Sequence, residues 1–159
     1  MRYLFGTSSG TVVAGGNGQG LTNTQLNFPI GLYFDSSSNS LFIANSVSHN
    51  IVRWVIGATT WTLVAGSISG TAGSTSILPN QPHDVVLDPI GNVYVADGFN
   101  NRIQLFLNDQ PNGTTIAGIG IATSTVTGLF LPVSVAIDTQ LNVYVSDYQN
   151  LRVQKFLSY

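Results

Sequence analysis

The sequence has no cysteine and no glutamate. Without cysteine there can be no disulfide, thiolate zinc site or Cys nucleophile, and the redox compartment stays open. All seven acidic residues are Asp, at positions 35, 84, 88, 97, 109, 138 and 147, and the basic ones are only Arg2, Arg53, Arg102, Arg152 and Lys155. Charged residues make up 8% of the chain, against roughly 25% in an average soluble protein. With Glu missing and a single Lys, good helix formers are scarce. At a net charge of −2 no basic stripe exists to neutralise phosphates, so nucleic acid is not an expected partner. Long apolar runs are also lacking. The opening "MRYLFGTSSG" is too short a run for a signal peptide, and the uncharged stretch from Thr114 to Ile137 carries many Ser, Thr and Gly and one Pro, so no membrane span is expected.

What is abundant is Gly, Ser, Thr and Asn, arranged in a repeat. "TVVAGG", "TLVAGS" and "TTIAGI" align at Ala14, Ala65 and Ala117, spaced 51 and 52. Pro29, Pro82 and Pro132 follow at spacings of 53 and 50, each leading into a short apolar strand that ends on Asp35, Asp88 or Asp138. Then come "LFIAN", "VYVAD" and "VYVSD", ending on Asn45, Asp97 and Asp147, and an aromatic at Trp54, Phe106 and Phe156.

Each unit reads as four short strands separated by Gly, Asn and Asp turns. Apolar residues on both strand faces, as in Val93, Tyr94 and Val95, imply sheets covered on both sides. Four-stranded units that repeat about every 40 to 50 residues and bury both faces describe a β-propeller. The expected fold is therefore all-β, a propeller of four-stranded antiparallel blades, with a solenoid as the runner-up.

Two segments carry a family likeness: "QPHDVVLDPIGNVYVADGFNNRIQLF" (81–106) and "LPVSVAIDTQLNVYVSDYQNLRVQKF" (131–156). They resemble NHL repeats, a propeller family whose unit runs Pro, x, Gly, apolar strand, Asp, turn, apolar strand, Asp, then Asn-x-Arg-Ile-x-x-Phe. The unit at 28–54 departs from this, with Asn45 for the second Asp and Asn50 for the Arg. The expected organisation is one propeller segment over 1–159. Residues 1–16 form the last two strands of a preceding blade, 29–66 and 82–118 are blades, and 131–157 is an incomplete blade. Propellers close with about 4 to 8 blades, so the ring is expected to be incomplete in this chain. Missing blades would come from a longer chain or a second copy, unless the ends pair to close an unusually small ring.

Read inside the repeat, the polar residues become turn holders. Asp97 and Asp147 close a strand before a tight turn, where carboxylates accept backbone N–H bonds. Asn101 suits the left-handed turn position, and Arg102 and Arg152 are expected to reach back to an Asp. Asp35, Asp88 and Asp138 recur at another turn and take the same structural reading, while Asp109, in "NDQPNG", reads as a solvated loop residue. His83 and Asp84 are the candidate metal ligands. They follow Pro82 at the start of the strand nearest a propeller's channel, but the matching positions are Ile30 and Gly31, and Val133 and Ser134, and a metal needs three or four ligands. His49 is expected to be exposed. "GGNGQG" (15–20) opens no helix pattern and reads as a loop rather than a phosphate cradle.

No catalytic residue and no cofactor is expected. The resemblance implies a non-catalytic binding or scaffold module, offering loops and a channel-end surface to a protein or small ligand. The loops at 66–78 and 118–130, which differ most between units, are the candidates for specificity. The alternative is part of a metal-dependent six-bladed hydrolase or lyase whose ligands lie partly outside this chain. Asn112 in "NGT" fits a glycosylation acceptor, which with the low charge tilts the expected setting slightly toward the extracellular side.

Overall fold

In the computed structural model, residues 2–3 and 9–158 are described. Strands β1 (Arg2–Tyr3) and β2 (Gly10–Thr11) form a short antiparallel pair. Of the third strand expected from "RYLF", positions 4 and 5 lie outside the described residues. The strand expected over "TVVAGG" is shorter than its counterparts, ending at Thr11 well before Gly15, although Gly15 shares its positive φ with the equivalent Gly66 and Gly118.

Thereafter the chain builds three sheets in sequence. The first holds β3 (Pro29–Asp35), β4 (Ser40–Asn45), β5 (Asn50–Val55) and β6 (Thr62–Gly66). The second holds β7 (Pro82–Leu87), β8 (Val93–Asp97), β9 (Arg102–Phe106) and β10 (Gly113–Gly118). The third holds β11 (Pro132–Ile137), β12 (Val143–Asp147) and β13 (Arg152–Phe156). Within each sheet the strands are antiparallel and lie in chain order, as expected of strands joined by short turns. No helix among the described residues is long and apolar enough to cross a membrane.

The sheets stack face to face. Phe42, Ala44 and Ile51 of the first sheet pack on Val85, Leu87, Val93 and Val95 of the second. Tyr94, Ala96 and Ile103 of the second sheet then pack on Val135, Val143 and Val145 of the third. Strand alternation explains this: successive residues of β8 point to opposite neighbours, so a run of apolar residues is needed and every residue of β8 is buried. The first strands of successive sheets lie against one another, β3 on β7 and β7 on β11. This is propeller architecture, with sheets that do not close into a ring among the described residues.

Each first strand carries a bulge at the same place, between Pro29 and Gly31, Pro82 and Asp84, and Pro132 and Ser134. The residue left unpaired is Ile30, His83 or Val133. A bulge re-aims its extra side chain, and in the second sheet that side chain is the imidazole of His83.

Candidate functional site

One end of the three sheets collects every second-to-third strand turn together with the connections 66–81 and 118–131. The turns are single 3-10 turns, Ser46–Ser48, Gly98–Asn100 and Tyr148–Asn150, each closed by a residue in the left-handed region: His49, Asn101 and Leu151, with φ of 51°, 52° and 54°.

Behind each turn lies a buried polar anchor. Asp97 is fully buried, and its Oδ1 accepts the Asn80 N–H at 2.7 Å. Its Oδ2 accepts from Asn100 Nδ2 at 2.9 Å and from Arg102 Nε at 2.8 Å. Asp147 repeats the arrangement with the Phe130 N–H, Asn150 and Arg152. Burial pushes the Asp97 carboxyl above its ordinary value, against the opposing pull of the Asn80 N–H, Asn100 and Arg102. The guanidinium beside it offsets that cost of desolvation.

The arginines also hold the interblade connections. Arg102 donates from Nη1 to the Ser74 carbonyl at 3.0 Å and from Nη2 to the Thr75 carbonyl at 2.7 Å. Arg152 donates to the carbonyls of Ser124, Thr125 and Gly128. Asn100 and Asn150 add bonds to the Gly73 and Thr123 carbonyls. A planar fork of five N–H donors suits such a convergence of carbonyls. Sequence reasoning assigned these arginines to an Asp but missed the loops, because the loop partners are backbone atoms and leave no side-chain pattern to read.

The first sheet solves the same problem without charge. Asn45 Oδ1 accepts the Asn27 N–H at 2.6 Å, Asn45 Nδ2 donates to Asn50 Oδ1 at 3.1 Å, and Asn50 donates to the Ser67 carbonyl. At the opposite end, Asp35, Asp88 and Asp138 close the first-to-second strand turns. Asp88 Oδ1 accepts the N–H groups of Ile90 and Asn92 at 3.0 and 2.9 Å. Asp138 takes the Gln140 and Asn142 N–H groups and the Tyr144 hydroxyl. Bonds from Ser38 and Ser37 hold Asp35 below the ordinary carboxylate value, and Asn142 does most to lower Asp138. Asp109 is exposed in the loop between β9 and β10.

His83 and Asp84 both face the next sheet. Asp84 Oδ2 accepts the Ser134 hydroxyl at 2.7 Å and the Val135 N–H at 3.1 Å, and Oδ1 accepts the Val85 N–H. His83 Nδ1 lies 3.1 Å from the Pro132 carbonyl, to which it donates, and its ring tilts against Phe99. Among the described residues no three His, Cys, Asp or Glu side chains come together as a metal would require.

His49 is half-buried rather than exposed as the sequence suggests. Its Nδ1 accepts the Gln81 N–H at 3.0 Å, tying the first sheet to the residue that leads into β7. Asn101 does the same for the next sheet, accepting the Leu131 N–H at 2.9 Å. Only a neutral imidazole can accept at Nδ1, and desolvation holds the His49 pKa below 6.5, outweighing the upward pull of Asp97. A depressed folded-state pKa means stability that is fully present above the unfolded value and lost as pH falls through the folded one. Unfolding midpoints in urea should therefore fall as pH drops below about 6.5, and His49→Asn, which copies Asn101, should keep the bond and remove that part of the slope. An unchanged pH profile in the variant would refute the assignment.

Comparisons place this architecture among known proteins. The family model NHL repeat matches residues 80–106 and 131–156. Among solved structures, an auxiliary nutrient binding protein from Bacteroides thetaiotaomicron superposes with a TM-score of 0.64 at 22% identity, covering 78% of this chain and 36% of that one. A second auxiliary nutrient binding protein, from Bacteroides ovatus, gives 0.59 at 20% identity, covering 78% and 36%. A catalytically inactive virginiamycin B lyase from Staphylococcus aureus gives 0.54 at 13% identity, covering 82% and 41%. The chain thus spans about two fifths or less of the length of these structures, and the likeness is one of fold. No curated protein matches the sequence. Repeat motif, strand order and superposition agree: the chain has the β-propeller fold and carries NHL repeats at 80–106 and 131–156, its sheets side by side and not closed into a ring among the described residues.

Proposed function

We propose that this chain is a non-catalytic binding module that presents the end carrying its 3-10 turns and interblade connections to a protein or small ligand. The observation that carries this reading is the fixing of exposed apolar side chains on anchored backbone. Arg152 grips the carbonyls of Thr125 and Gly128, on either side of Val126, which is 83% exposed. Ile121 in the same connection and Ile68, Ile77 and Phe99 around the preceding one are also exposed. Apolar side chains held on a rigid loop lose little entropy on binding, and loops on a fixed scaffold are where recognition commonly sits.

The fold itself does not select the activity, and the names of similar structures include binding proteins and a lyase alike. What favours binding here is that the recurrent Asp, Asn and Arg side chains are occupied in holding backbone. A photoreactive residue at Val126 should form a specific adduct in extracts of the producing cells, whereas one at Ile90, exposed at the opposite end, should not. Freeing the loop by Arg152→Gln should reduce the adduct several-fold. Equal labelling from both positions, or none from Val126, would defeat the proposal.

A further inference from the structure

A groove of about 350 Å³ opens between the first two sheets, at the end opposite the 3-10 turns. The first sheet forms one wall, with Phe42 of β4, Arg53 of β5 and Val64 of β6, and the second sheet forms the other, with Val93, Phe106 and the loop that follows β9. At the corresponding place between the second and third sheets, Tyr94 and Leu105 pack in the apolar cluster that includes Val135, Val143 and Val145. Strand pairing shows the equivalence: Phe42 lies opposite Arg53 as Tyr94 lies opposite Leu105 and Tyr144 opposite Lys155. A guanidinium thus stands where the next sheet has an apolar side chain.

Arg53 is held but not neutralised. Its Nε donates to Ser40 Oγ at 3.0 Å, and that hydroxyl is itself fully buried and bonded to the Ser38 carbonyl. Arg102, Arg152 and Lys155 each lie within 4 Å of a carboxylate, that of Asp97, Asp147 and Asp138 respectively. Arg53 has none, and both its Nη groups lack an acceptor among the described residues. A forked cation fixed through Nε, half-buried and open at Nη, is prepared for bidentate contact with a planar anion.

We infer that this groove binds a small organic carboxylate with an apolar body, its carboxylate on the Arg53 Nη groups and its body against Phe42, Val64 and Phe106. The volume is at the lower end for a ligand pocket, commonly about 300 to 1,000 Å³. Asp109, on the lining loop, offsets the Arg53 charge across the groove as a whole, so polyanions are disfavoured and a single carboxylate depends on direct contact with the Arg53 Nη groups. The inference does not depend on the binding face proposed above, which lies at the other end of the sheets and uses none of these residues.

The probes are phenylacetate and its neutral amide, phenylacetamide, titrated into the isotopically labelled chain and followed by amide resonances. Phenylacetate should shift Val64 and Leu107 to Gln110, leave Val126 unmoved, and bind about tenfold or more tightly than the amide, since a hydrogen bond to a charged partner is worth more than a neutral one. Added salt should weaken the carboxylate and not the amide. Arg53→Gln should bring phenylacetate down to the level of the amide, and Arg53→Lys, which keeps the charge but not the fork, should fall between. Should Arg53→Gln fail to fold, the comparison of the two probes on the unaltered chain decides alone. Equal binding of the two probes, or no groove shifts at millimolar phenylacetate, would overturn the inference.

Discussion

Replacing Arg102 by alanine is expected to destabilise the protein by about 3 to 5 kcal/mol, the usual consequence of leaving one member of a buried ion pair without its partner. The Arg102 side chain is 9% exposed and that of Asp97 0%, so water cannot take over the carboxylate. Arg152→Ala removes the same 2.8 Å contact from Asp147, but the Arg152 side chain is 29% exposed. Its loss should cost roughly half as much, because solvent reaches the vacated position. The urea midpoints of the two variants measure the difference, and equal losses would show that burial is not what sets the strength of the pair. The first sheet offers an internal control, since Asn45 and Asn50 fill the same positions without charge. The double variant Asp97→Asn with Arg102→Asn should therefore be more stable than either Arg102→Ala or Asp97→Ala, a non-additivity expected of groups in one network.

Gly31→Ala should be comparably damaging, at about 3 kcal/mol, for a steric reason. A Cβ at this position would lie 2.3 Å from the His83 carbonyl oxygen and 2.5 Å from the Asp84 Cα. Both are backbone atoms of the next sheet, so no rotamer change relieves the overlap and β3 must move away from β7. Gly57→Ala is the matched control. Gly57 has φ of 94° and nothing within 4 Å of its absent side chain, so its replacement carries only the cost of a strained backbone, about 1 kcal/mol. Hydrogen exchange should show Gly31→Ala loosening β3 and β7 together while Gly57→Ala stays local. Exchange confined to β3 would mean that the two sheets do not depend on this approach.

The repeat made the architecture legible because it is written in side chains. Pro29, Pro82 and Pro132 mark the first strands, the run "VYVAD" declares burial on both faces, and Asn45, Asp97 and Asp147 mark the turn. Residues that break the pattern were harder to read. His49 looked like an exposed turn residue because its partner, the Gln81 N–H, is a backbone atom of the next blade. Arg53 looked unremarkable for the converse reason. Its interest comes from the carboxylate it lacks and from the space left beside Phe42, and neither is visible along the chain.

The sequence by itself determined the strands of the three sheets, the repeat length and the class of fold, since periodic apolar residues and turn formers act within a few residues of one another. It also marked, by their recurrence, the Asp, Asn and Arg positions shared by successive units. Tertiary structure alone decided what those residues hold, how closely β3 approaches β7, and where a cation is left free between two sheets. Those outcomes depend on backbone groups and empty volume contributed by segments about 20 to 50 residues apart, brought together only when the apolar faces of successive sheets are buried against each other.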